Sequence, residues 1–180
     1  MTKNVFFDTD CISSFFKVRQ RNIIEELFNA RIVFPEEVYE ELSNPKVPHL
    51  KKQADEMINN GTATIESIAV GSNAFIIFRK LTDPFNKPMI GNGEGAAIAL
   101  AYTNGGILAS NNLKDVARYV KEYKLEHYTS LTILILAEEQ GLLEELECEH
   151  IWRSMKRNGI MLPEGSYAEN KLREKRNKNI

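Results

Sequence analysis

The chain has 180 residues, 43% of them hydrophobic and 27% charged, with a formal net charge of −2 and a pI near 6.0. These are ordinary globular values, which predict one domain with a short extension and exclude collagen-like, wholly disordered and membrane-embedded classes. They also exclude a protein that coats nucleic acid through bulk positive charge, while leaving room for local basic patches.

Residues 4–12 set the apolar run Val5-Phe6-Phe7 directly against two carboxylates, Asp8 and Asp10. A continuous run of this kind suits a strand covered on both faces, as in a parallel sheet between helix layers, where ligands bind at the carboxyl ends of the strands. Asp8 falls at that end, with Thr9 and Asp10 at the start of the next helix, where free N–H groups stabilise negative charge. A plainer reading stays open: Asp8 simply caps a helix that begins near Cys11. The two acids also interrupt any signal-peptide-like segment, and no later run nears a bilayer span, so a cytoplasmic location without membrane contact is expected.

Residues 12–29 carry Phe15, Phe16, Ile23, Ile24, Leu27 and Phe28 at helical spacing, broken near residues 18–21, which predicts two short helices. A second strand is expected over 31–34, and Pro35 then opens a helix over 36–42 that stops before Pro45. A helix over 49–59 closes at Asn60-Gly61, and alternation over 62–68 predicts a third strand. Residues 73–81 read as a helix, 82–93 as a loop, and 94–102 as an Ala-rich helix ended by Gly105-Gly106. A fourth strand over 107–109 leads to a helix over 113–123, with Val116, Ala117 and Val120 inward. A last strand over 126–128 precedes Thr129, a good N-cap for an apolar helix over 131–140. Strands alternating with helices in this order predict an α/β fold, a three-layer α/β/α sandwich with a parallel sheet.

That architecture accounts for residues 1–140. Residues 141–180 are expected to form a helical C-terminal extension, with a helix near 145–158 and a solvated basic tail carrying Lys171, Arg173, Lys175, Arg176 and Lys178.

The acids form a pattern of their own. Four glutamates share residues 36–41; Glu41, beside Leu42 and three residues after Val38, falls at the edge of the buried stripe, with Glu37 its competitor. Glu94 lies between Gly93 and Gly95 at a helix start, where carboxylates are favoured. A phosphate loop is discounted there, because no strand precedes it and the spacing is not GxxxxGK. After the fourth strand, Ser110-Asn111-Asn112 offers neutral oxygens, and Asp115 follows one turn later. The cysteines, Cys11 and Cys148, are too few for a disulfide framework, and the histidines, His49, His127 and His150, lack the spacing of a metal site. Carboxylates converging without His or Cys select hard cations such as Mg²⁺ or Mn²⁺, which makes a phosphodiester the natural substrate.

In these features the sequence resembles the PIN-domain family of metal-dependent nucleases, over about the first 140 residues. The resemblance rests on the strand ending in Asp8-Thr9, on Pro35-x-x-Val38-x-x-Glu41-Leu42, on Gly93-Glu94-x-Ala96-x-Ile98-Ala99-x-Ala101, and on Ile107 through Asn112. It implies Mg²⁺- or Mn²⁺-dependent cleavage of RNA, and a role like that of the many small prokaryotic members that are toxin halves of toxin–antitoxin pairs. Asp8, Glu41 and Glu94 match three family acids, and Ser110 matches the small hydroxyl residue of the last motif. Asn112 stands where that motif usually has an aspartate, and Asp10 or Asp115 is the candidate to replace the missing charge.

The expected site therefore comprises Asp8, Glu41, Glu94 and Asn112 for catalysis, with Asp8, Glu94, Asp10 and Asp115 for metal. Ser110, Lys114, Arg118 and Lys121 are the candidates for substrate contact, the last three forming a basic stripe along one helix. The expected partners are an RNA substrate, an antitoxin protein and a second copy of the chain. Two alternatives remain open: a catalytically weakened PIN-like fold that binds RNA or protein without cutting, and a Mg²⁺ enzyme acting on small phosphoesters.

Overall fold

Each strand is followed by at least one helix that carries the chain back, so the strands all run the same way. The computed structural model describes residues 2–85 and 89–178. Among them, β1 (Val5–Phe7), β2 (Ile32–Pro35), β3 (Ala63–Glu66), β4 (Ile107–Ala109) and β5 (Glu126–Tyr128) form one parallel sheet in the order β3-β2-β1-β4-β5. The first strand is central and the fourth is its neighbour.

Alternation along the strands divides the core in two. Phe6, Val33 and Leu108 point to the side covered by α5 (Asn73–Leu81), α6 (Asn92–Thr103) and α7 (Leu113–Glu122). Val5, Phe7, Ile32, Phe34, Ile107 and Ala109 point to the other, covered by α1 (Thr9–Lys17), α2 (Arg21–Phe28), α3 (Glu36–Leu42), α4 (Pro48–Asn59), α8 (Ser130–Glu139) and α9 (Glu145–Arg157). Both faces of the central strands are thus dry, which is why Val5-Phe6-Phe7 is apolar without alternation. The fold is the three-layer α/β/α sandwich.

The differences from expectation are local. Helix α6 starts at Asn92 rather than Glu94, with Gly91 as its N-cap. Part of the predicted loop over 82–93 falls on residues 86–88, which lie outside the described residues, as do residues 1, 179 and 180 of the spans divided at residue 140. Ala117, expected inward, is exposed, and Tyr119 is buried with Val116 instead. The reason is angular: at 3.6 residues per turn, positions three and four after Val116 return to its face, and the next residue does not.

Residues 171–178, expected as a solvated tail, belong to a final helix, α10 (Tyr167–Lys178). It docks on α8 and α9. Tyr167 is fully buried and its hydroxyl donates to Glu138 Oε2 at 2.6 Å, while Lys171 pairs with Glu138 and Glu145. Among the described residues no helix is long and apolar enough to cross a membrane.

Candidate active site

The register of β1 and β4 brings two distant segments together. Phe7 pairs with Ala109, so the next residues, Asp8 and Ser110, leave the sheet side by side at its carboxyl edge. The Asp8 N–H donates to Ala109 O at 2.9 Å, and the Ser110 side chain hydrogen-bonds the Asp8 carboxylate. Asp8 also caps α1, its Oδ1 accepting the Cys11 N–H at 2.7 Å. The two sequence readings of Asp8 are therefore compatible: one oxygen closes the helix and the carboxylate still faces the cleft.

Asp8, Asp10, Glu41, Glu94, Asn112 and Asp115 line one open cleft of about 220 Å³, together with Thr9, Met89 and Gly91. Glu41 arrives from α3 and joins three elements. Its Oε1 accepts the Gly93 N–H at 3.0 Å, and its Oε2 accepts the Thr9 hydroxyl. A Cβ at Gly93 would stand 2.8 Å from Glu41 Oε2, so the glycine is needed for this close approach. Glu37, its sequence competitor, is half-buried elsewhere on α3, and its Oε2 is buried with no hydrogen-bond partner.

At the end of β4, Asn112 caps α7. Its Oδ1 accepts the Asp115 N–H and its Nδ2 donates to Asp115 Oδ2 at 2.8 Å. Asn112 thus turns its amide toward Asp115 and holds that carboxylate at the cleft. Behind it, Asn111 ties the loop to the opposite layer: Oδ1 accepts the Ser130 N–H at 2.8 Å, and Nδ2 donates to Ser130 Oγ at 2.9 Å and Ser14 Oγ at 3.1 Å. His127 on β5 adds a bond from its Nε2 to Ser110 O at 2.9 Å.

Crowding the acids changes their proton affinity. Burial pushes Asp8 from its ordinary 3.8 up to about 7, with Asp10 and Glu41 adding repulsion against the lowering effect of the Ser110 and Cys11 hydrogen bonds. Burial first, then the charges of Asp8 and Asp115, push Glu94 from 4.5 to about 8. Neighbouring carboxylates that cling to protons near neutrality are sites where a cation can take the proton's place. The donor set is all oxygen, which fits a hard divalent cation. Among the described residues, however, no group of three or more His, Cys, Asp or Glu side chains is arranged to hold a metal ion.

The expected substrate contacts divide. Ser110 is fully buried behind Asp8. Lys114 lines a second groove that adjoins the acids. Arg118 and Lys121 lie further along α7, about 5 and 9 Å of helix rise beyond Asp115. Arg118 is occupied by Glu122 at 3.9 Å and by the ring of Tyr119.

Some participants carried no signal in the sequence. Asn111 looks like any loop asparagine, and its partners lie 97 and 19 residues away. Thr9 and Gly93 were visible as motif letters, but their shared contact with Glu41 exists only once α1, α3 and α6 meet. Residues 4–174 match a family model described as a PIN domain. No curated protein matches the chain.

Proposed function

The chain belongs to the PIN-domain family, and from that premise we propose that it is a Mg²⁺- or Mn²⁺-dependent endoribonuclease of the toxin type. The observation that carries this reading is the shared cleft of Asp8, Asp10, Glu41, Glu94, Asn112 and Asp115, in which Asp8 rises to about 7 and Glu94 to about 8. Asp8 and Glu94 would hold the cation, assisted by Asp10 and Asp115. A bound divalent cation supplies charge neutralisation at a phosphodiester and a more acidic water for attack.

The chain's own residues do the positioning. Glu41, bonded to Thr9 and to the Gly93 N–H, fixes the start of α6, and hence Glu94, against the start of α1, and hence Asp8 and Asp10. Ser110 orients Asp8, and Asn112 orients Asp115. In this reading Asp115 replaces the charge that Asn112 lacks. Lys114, Arg118 and Lys121 would meet backbone phosphates, which position a nucleic acid without selecting its sequence.

A toxin role implies an antitoxin protein as partner, with a second copy of the chain as another. Cells expressing the wild-type chain should stop growing, and cells expressing Asp8→Asn should not.

The decisive experiment is RNA cleavage during Mg²⁺ and Mn²⁺ titration. Wild type should cut only with metal, and Asp8→Asn should lose at least about 100-fold in rate. Metal-independent cutting that survives Asp8→Asn would overturn the reading. RNA binding without cutting at any metal concentration would favour the second reading, a non-cleaving PIN-like binder. That alternative is supported by Asn112, whose side chain is spent on capping and on Asp115 rather than presenting charge.

A further inference from the structure

Beside the acid cleft runs a larger groove of about 570 Å³, which shares Asp10, Asn112 and Asp115 with it. One wall is the end of α1 with Lys17, the other the start of α7 with Lys114. The third side is the connection between α9 and α10, residues 159–163. Along this segment the side chains alternate. Ile160 and Leu162 pack on the core, while Met161 is turned outward at 93% exposure. The segment is held at its far end: Trp152 Nε1 donates to Gly165 O at 3.2 Å and Asn170 Nδ2 to Glu164 O at 2.9 Å.

Charge marks the groove as well. Among the described residues Lys17 and Lys114 make no ion pair, whereas Arg118, Lys171 and Lys175 are paired with glutamates. Two lysines without an ion pair therefore line, from two different helices, a groove that shares Asp10 and Asp115 with the acid cleft. A polymer with a phosphodiester at the acids must continue into neighbouring space, and this groove offers cations for its phosphates and an apolar lip for its bases.

We propose that this groove carries a single strand of RNA away from the acid cleft, with Lys17 and Lys114 each meeting a backbone phosphate and Met161 supporting a base. The inference rests on the nuclease reading and adds to it the path that the strand takes over this chain's own residues. It also assigns the C-terminal segment a part in substrate binding. A thioether beside a base face is a favourable contact, adaptable because the side chain is unbranched.

The test uses full-length Asp8→Asn protein with Mg²⁺ and a fluorescent single-stranded RNA, titrated at several salt concentrations. Lys17→Ala with Lys114→Ala should make the log–log salt slope shallower by about 1.4, or 0.7 for each lost phosphate contact. Met161→Ser should weaken binding roughly two- to tenfold at every salt concentration and leave the slope alone. Lys52→Ala, on the exposed side of α4, is the control for general charge loss and should leave the slope in place. Duplex RNA of the same length should bind more weakly, with no response to Met161→Ser. All four positions are exposed, and thermal melts verify that the variants fold.

An unchanged slope in the double lysine variant would overturn the proposal, as would equal losses in the Lys52→Ala control or equal binding of duplex. An unchanged slope in a protein whose wild type cuts RNA leaves the nuclease reading standing and frees the groove for a protein segment. A shallower slope in a protein that never cuts keeps the strand path and removes the nuclease.

Discussion

Asp8 shows how a buried carboxylate is held against its own chemistry. It is 2% exposed and hydrogen-bonded by the Cys11 N–H and the Ser110 side chain, yet burial and neighbouring acids still raise it to about 7. Its folded pKa exceeds the unfolded 3.8, and that of Glu94 exceeds 4.5, so both groups favour folding fully only below those values. Stability of the metal-free protein should therefore fall as pH rises from about 4 to about 8. Urea unfolding across that range should show a loss on the order of a few kcal/mol, smaller in Asp8→Asn and smaller again with saturating Mg²⁺. A flat profile in metal-free wild type would sink this account. Gly93→Ala tests the same site sterically. The added Cβ would displace the flexible Glu41 carboxylate, so stability should change by ~1 kcal/mol or less. Cleavage should drop by up to about 100-fold, because the start of α6 loses its register with α1.

At the scale of elements, α7 shows how a cap and a site can be one structure. Asn112 caps the helix and presents Asp115 to the cleft. Aspartate caps as well as asparagine, so Asn112→Asp should leave α7 intact while adding a sixth carboxylate to the five that line the cleft. Metal affinity and cleavage should rise modestly, as read by calorimetry and by rate, and the metal-free protein should become less stable. Asp115→Asn should lower both affinity and rate. If it leaves them untouched, Asp115 is only a helix residue that happens to border the cleft. Helix α6 makes the complementary point: its alanines from 96 to 101 are buried on every side, which lets it lie close on β1, β2 and β4 and bring Glu94 to the sheet edge.

For the whole molecule, the sheet sets where the acids meet, and the C-terminal helices set what lies beside them. Trp152 is fully buried against the core, and its indole N–H fastens residue 165. Trp152→Ala should cost ~3–5 kcal/mol in urea unfolding. Because the same change loosens the segment carrying Met161, RNA binding by the folded fraction should weaken too. The sequence match running from residue 4 to 174 includes these helices, so α9 and most of α10 fall within the matched family region.

Local information alone determined much of this protein. The strands at Val5–Phe7, Ile107–Ala109 and Glu126–Tyr128, the helix at Asn73–Leu81 and the N-cap at Thr129 follow from short-range pattern and capping chemistry. Their alternation with helices was sufficient for a parallel α/β/α sandwich, because that connectivity has few packed solutions. The acids at 8, 41 and 94 were legible as residues at element ends. Their gathering into one cleft was a tertiary event, since it needs the β1–β4 register and the approach of α3 to a glycine on α6. The basic end of the chain depends on tertiary packing for the same kind of reason. Lys171 looks solvated in a run of charges, but Glu138 and Glu145, brought near by α8 and α9, order it into a docked helix. Periodicity reports which side of an element is dry, and only packing decides which polar groups then face each other.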